Sequence, residues 1–195
     1  MVVLKTFASP VELRTERTLL RQWKDSDLPA WIQMNADPTV RRFFPSILDA
    51  EQAAGEAGRI RAAIAQRGWG PWVLEIPGEL PFAGFVGLMV PNFEAPFMPA
   101  VEIGWRLAPV AWGQGYATEA AAASLKFAFT CLELPEIVSL TVPDNLPSQA
   151  VMRRIGLSHN PADDFDHPRV ADGHPFKRHV LYRIDRSTYL QRAQA

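Results

Sequence analysis

Three features of the 195-residue sequence predict a mixed α+β fold. Short apolar runs bounded by Gly and Pro mark strands. Longer stretches with apolar residues every three or four positions mark helices. The two kinds do not alternate in regular βαβ units, which argues for a mixed sheet over a doubly wound parallel one. Nothing in the composition divides the chain, so residues 1–195 read as a single domain.

Leu13–Trp23 (LRTERTLLRQW) reads as a lead-in and first strand. Asp25 can cap a short helix carrying Leu28, Trp31, Ile32 and Met34, which Pro38 stops. A helix over Asp49–Arg67 puts Ala53, Ala57, Ile60, Ala63 and Ile64 on one face, and Gly68, Gly70 and Pro71 end it. Trp72–Ile76 and Phe82–Val90 form a hairpin through Pro77, Gly78 and Pro81, and Val101–Leu107 is the next strand. Thr118–Leu132 has a strong helical pattern. Ile137–Val142 is a strand with Val138, Leu140 and Val142 on one face. Pro147–Ile155 is a short helix closed by Gly156. The polar stretch Asn160–Pro175 reads as turns, and His179–Ile184 as the last strand.

Composition narrows the function. The 20 Lys and Arg balance the 21 Asp and Glu, and neither half of the chain departs from that balance. A protein that grips a phosphate backbone shows a basic excess, so nucleic acid is not expected as a partner. No run approaches the roughly 18–20 apolar residues of a membrane span. The opening MVVLK is too short for a signal-peptide core. One cysteine, Cys131, allows neither an internal disulfide framework nor a cysteine-rich zinc site, so the cytoplasm is the expected compartment. Cys131 lies on an apolar helix and reads as core packing. The 17 prolines read as loop stiffening.

The most informative stretch is Val101–Phe129, VEIGWRLAPVAWGQGYATEAAAASLKFAF, where a strand feeds a Gly-containing turn and the turn feeds a long helix. Gly113 and Gly115 permit close approach, and Thr118 and Glu119 open the helix. The amides of about Gln114 to Thr118 would lack intrahelical partners and point at one spot with the helix dipole behind them. That is a pyrophosphate site in physical terms. A Gly-x-Gly turn before a helix is also common without any ligand, so both readings stand on the motif alone. The third glycine of a dinucleotide fingerprint is missing, as is the Walker pattern.

The segment Trp112-Gly113-Gln114-Gly115-Tyr116-Ala117 resembles the acetyl-CoA motif of the GNAT N-acetyltransferases, Arg/Gln-x-x-Gly-x-Gly/Ala, with Trp112 replacing the Arg or Gln. PxxWGQGYATEA, Leu13–Arg21 and the stretch from Asn145 to Leu157 resemble the RimJ/RimL-like branch, in family order over roughly residues 13–185, with 186–195 as a tail. The resemblance implies a mostly antiparallel twisted sheet of about seven strands with about four helices. It also implies acetyl-CoA as cosubstrate, no metal, and direct attack by a primary amine in a ternary complex. The acceptor is a small molecule or a peptide, and monomer and homodimer are both open. A catalytically silent acyl-CoA-binding domain is the rival reading.

On this resemblance Glu102 is the candidate base and Ser148 the candidate acid for the departing thiolate. Family members often use a tyrosine as acid, with Tyr116 and Tyr182 available here. The backbone of Ile103, Gly104, Trp105, Arg106 and Leu107 is expected to dock the pantetheine amides. Trp112, Gly113, Gln114, Gly115, Tyr116, Ala117 and Thr118 are expected to hold the pyrophosphate, with Asn145 beside the pantetheine arm. Structural roles compete for several: Glu102 as a solvent-facing strand acid, Asn145 and Ser148 as helix caps. All four histidines fall between His159 and His179, near Asp163, Asp164 and Asp166. They show no metal-ligand spacing. Asp164, Asp166 and His167 are the candidates for attracting a cationic amine, and Trp31, Phe43, Phe44 and Phe97 for walling its pocket.

Overall fold

The structure, a computed structural model, describes residues 4–194. Its elements in order are β1 (Leu13–Arg14), β2 (Leu19–Arg21), α1 (Leu28–Ala36), α2 (Ala50–Arg67), β3 (Pro71–Ile76), β4 (Leu80–Met89) and β5 (Glu102–Leu107). Then come α3 (Tyr116–Thr130), β6 (Glu136–Thr141), α4 (Leu146–Arg154), β7 (Ser158–His159), β8 (Phe165–Asp166), β9 (Arg178–Asp185) and α5 (Arg186–Gln194). The strand order is β1-β2-β3-β4-β5-β6-β9-β7, with β8 also on β9. Every pairing is antiparallel except β5 with β6.

Helices cover both faces of this sheet, which is why β3 and β4 read as nearly continuous apolar runs. Trp72, Leu74, Val86, Leu88 and Ile103 pack with Ala120, Ala121 and Leu125 of α3 and Met152 of α4. On the other face, Val73 and Phe85 pack with Trp31 and Met34 of α1 and Ala53, Ala57 and Ile64 of α2. The start of α2 is fixed by a reciprocal cap: Gln52 N donates to Asp49 Oδ1 at 2.8 Å and Asp49 N to Gln52 Oε1 at 3.1 Å. Its end is Gly68, at φ 79°.

The mixed fold expected from sequence is present, with nine strands and five α-helices among the described residues. The extra strands are short pieces that exist only by pairing. Leu13–Trp23 is a tight β1–β2 hairpin closed by Thr15 N donating to Thr18 O at 2.9 Å, not one strand. Just before the polar stretch and within it, β7 and β8 each pair two residues with β9. The expected tail is α5, anchored by Tyr189 against Phe129 at 4.8 Å between ring centroids. Cys131 is exposed just past the end of α3, which corrects its assignment to the core.

Candidate active site

The site begins where β5 and β6 separate. They share one register pair, Glu102 with Val138, plus a bond from Val138 N to Val101 O at 3.1 Å. The next carbonyl on that edge, Ile103 O, accepts from the Ser139 hydroxyl at 2.8 Å. Beyond it the ladder stops. Backbone groups alternate sides along a strand, so Trp105 turns its N–H and C=O into the gap. Leu107 O, the next on that side, accepts from Trp112 Nε1 at 2.8 Å. A cleft of about 1370 Å³ opens there, lined in part by Gly104, Trp105, Arg106 and Leu107.

At one end of the cleft lies the turn into α3. Gly113 and Gly115 take left-handed φ values of 74° and 84°, which a side chain would strain. The first α3 bond runs from Glu119 N to Gly115 O at 3.1 Å. Among the described residues, the N–H groups of Gln114, Gly115, Tyr116, Ala117 and Thr118 donate to no acceptor. They make up the positive end of a 15-residue helix. Arg17 braces this turn: Nη1 donates to Gln114 O at 3.1 Å, Nε to Glu119 Oε2 at 2.7 Å, and its guanidinium lies 4.9 Å from the Tyr116 ring centroid. The free amides, the open strand edge and the volume of the cleft fit the phosphates and amide-bearing arm of a coenzyme A thioester.

Glu102 lies in the cleft on the β5 face opposite Ile103 and Leu107. No described group bonds its carboxylate, and burial pushes it up to about 8. A carboxyl so placed can hold or accept a proton near neutral pH. Ser148, at the third position of α4, also lines the cleft, and its hydroxyl has no described protein partner. Its backbone N–H is the capped group, donating to Asn145 Oδ1 at 3.3 Å. Asn145 is therefore the cap, with Nδ2 donating to Thr141 Oγ1 at 2.9 Å. Tyr182 is buried at 3% exposure, accepts from Arg153 at 2.9 Å and donates to Gln149 at 3.1 Å, so its hydroxyl is committed to the core.

Two of the three residues expected to attract the acceptor are not brought to the cleft. Asp164 accepts from His159 at 2.7 Å, and Asp166 pairs with Arg178 at 3.4 Å on the outer edge of β9. His167 does line the cleft. Burial, with His179, Arg169 and Lys177 nearby, pulls it down to about 4, so it is neutral there. His179, 4.9 Å away between ring centroids, is pulled down by burial too. Among the described residues no group of three or more His, Cys, Asp or Glu gathers as metal ligands. Phe43, Phe44 and Phe93 line the cleft. Trp31 is fully buried, and Phe97 packs on Phe93 and Phe165.

Balanced overall charge conceals what the fold concentrates. Arg17, Arg41, Arg42, Arg106, Arg154 and Arg169 line the cleft against Glu56, Glu102 and Glu119. Sequence reading missed most of these cations because they come from five separate segments. The one local signal was Arg41-Arg42 beside Phe43-Phe44; Arg42 lies over Phe43 and over Trp112 of the turn, at 4.9 and 5.4 Å.

Comparison with known proteins agrees with this geometry. Residues 17–158 match the acetyltransferase (GNAT) domain. An FsC-acetyl coenzyme A-N(2)-transacetylase of Aspergillus fumigatus is 33% identical over 135 residues, 66% of this chain, and the chain spans 57% of that relative's length. An Agrobacterium tumefaciens acetyltransferase structure is 29% identical with a TM-score of 0.71, covering 92% of this chain and 97% of that one. RimL, a ribosomal-protein α-N-acetyltransferase solved with coenzyme A, shares the fold at a TM-score of 0.69 and 19% identity, covering 90% of this chain and 98% of its own. With strand, gap, free amides and matched domain falling on the same residues, the chain belongs to the GNAT acetyltransferase family.

Proposed function

We propose that this protein transfers the acetyl group of acetyl-CoA to a primary amine by direct attack within a ternary complex, as the RimJ/RimL-like branch does. The observation that carries the reading is the line from five undonated N–H groups at the start of α3, along the open β5 edge, to Glu102. The backbone amides of Gln114–Thr118 bind pyrophosphate, and Trp105 pairs with the pantetheine amides. Glu102, as carboxylate, takes a proton from the ammonium, directly or through water, so that the nitrogen lone pair can bond to the thioester carbon. As the C–S bond breaks, the nitrogen sheds its second proton and the sulfur gains one through Ser148 Oγ, which gives its own proton and recovers that one, so that a neutral amide and the free thiol result. No covalent enzyme intermediate is needed.

Among the described residues no helix is long and apolar enough to cross a membrane. The lone exposed Cys131 suits a reducing cytoplasm, which we take as the site of action. A thiol-release assay with acetyl-CoA over a panel of amines and peptides tests the reading. CoA binding without release on any acceptor would favour the silent binding domain. Absence of CoA binding in calorimetry would remove both.

A further inference from the structure

Arg41, in the loop between α1 and α2, and Arg106, on β5, are both more than nine-tenths buried, with Arg41 8% exposed and the Arg106 side chain 9%. Their guanidinium groups converge on a single oxygen, Asn35 Oδ1, at 3.5 and 2.7 Å. Glu56 from α2 accepts from Arg106 at 3.0 and 3.4 Å. Beyond Asn35, Arg41 donates only to Ser46 O, at 2.9 Å. About ten N–H donors, five per guanidinium, therefore meet Asn35 Oδ1, Ser46 O and the two Glu56 oxygens. Arg106 Nε is buried without a partner, and Arg41 Nη2 has none among the described residues. Two cations share one anion. Burial, then repulsion from Arg106, pulls Arg41 down to about 10, which still leaves it charged at neutral pH.

Both arginines line the cleft, and aromatic rings wall them: Phe44 lies 4.2 Å from Arg41 and 4.6 Å from Arg106, with Phe85 5.5 Å from Arg106. The cosubstrate's phosphates have other donors, the free amides of the α3 turn with Arg17 beside them. Arg106 instead shares the Glu102 face of β5, four residues along, which is about 13 Å at roughly 3.3 Å per residue. A buried pair of cations with spare N–H donors is complementary to a carboxylate.

We infer that the acceptor is a primary amine bearing a carboxylate several bonds from its nitrogen, the carboxylate held by Arg41 and Arg106 while the amine meets Glu102. The inference rests on the acetyltransferase reading and names its substrate class. The spacing suits an ω-amino acid, or a peptide with an acidic residue just after its N-terminus. A purely cationic polyamine would meet two buried arginines and be repelled.

The test pairs isosteric acceptors that differ in charge: ε-aminocaproate against ε-aminocaproamide, and Ser-Glu-Ala amide against Ser-Gln-Ala amide. Calorimetry on the CoA-saturated protein is expected to give about tenfold tighter binding for the carboxylate member of at least one pair, the worth of a charge-assisted bond. The pair that responds tells a free amino acid from a peptide. Thiol release should favour the same member in kcat/KM. Arg41→Gln should abolish the preference while sparing CoA affinity, and Arg41→Lys, which keeps the charge, should retain part of it. Equal binding within both pairs, no binding of any member, or a preference that survives Arg41→Gln would overturn the inference. Release that is indifferent to charge would leave the acetyltransferase reading intact, whereas absence of CoA binding would remove that reading and this one together.

Discussion

Ser139 Oγ donates a 2.8 Å hydrogen bond to Ile103 O, one residue past the point where β5 and β6 part. A side chain thus takes the place of the N–H that a continuing parallel ladder would supply. Both residues are buried, at 2% and 0% exposure, so water cannot replace the donor. Ser139→Ala is expected to destabilise by about 1–3 kcal/mol, the cost of an unsatisfied buried carbonyl. Because that bond sets the edge of the gap, the KM for acetyl-CoA should rise as well. Chemical denaturation and steady-state kinetics measure the two effects; a rise in neither means the gap is held by packing alone.

Glu102 links pH to both rate and stability. Burial raises its carboxyl from 4.5 to about 8 in the folded protein. The native state therefore keeps a proton that the unfolded chain has released between those values, so this group's contribution is full below about pH 4.5 and is lost as pH rises through about 8. Glu102→Gln removes that loss, and its advantage in melting temperature over the parent should grow between about pH 5 and pH 9. Turnover should move the other way. The parent's rate rises through pH 8 as the base form appears, and the variant should fall about 100-fold with CoA affinity unchanged. A variant with parental turnover takes Glu102 out of the base role.

The two turn glycines separate backbone strain from ligand contact. A Cβ on Gly113 would meet nothing within 4 Å, and one on Gly115 would lie 3.4 Å from Arg17 Nη2. Gly173, at φ 78° and also open, is not among the residues that line the cleft and serves as control. Alanine at each position should cost about 1–2 kcal/mol of left-handed strain. Only Gly113→Ala and Gly115→Ala should weaken CoA, with Gly115→Ala the worse of the two. Calorimetric titration reads this, and equal affinity for all three variants would take the turn out of the phosphate site.

Asn145 and Ser148 divide capping from chemistry. Asn145→Ala removes the α4 cap and should destabilise by about 1 kcal/mol. Ser148→Ala leaves the capped N–H in place and deletes only a hydroxyl without a described protein partner. It should lower kcat about tenfold or more if the hydroxyl assists thiolate departure, with the melting temperature unchanged. A lower melting point with parental kcat would make Ser148 structural.

Local pattern carried well wherever it depended on neighbours in the chain. The helix over Asp49–Arg67, the helix read from Thr118 and found from Tyr116, and the free amides of its first turn all follow from spacing within a few residues. Strands β7 and β8 did not show, because two residues have no period and their only warrant is the partner β9. The acidic loop was misleading for a similar reason. Asp164 and Asp166 sit beside histidines in sequence, yet their partners His159 and Arg178 hold them away from the cleft.

By itself, then, the sequence determined the mixed fold, the strand–turn–helix that leaves backbone amides free for an anion, and Glu102 on the strand before it. These are short-range properties, set by periodicity, glycine and capping. Only the tertiary structure decided the charge of the cleft. Neutral halves of the chain contribute Arg41 from a loop, Arg106 from a strand and Glu56 from a helix to one dry place. Net charge is a sum over the whole molecule, whereas the field at a buried site depends on which charges folding brings within a few ångströms.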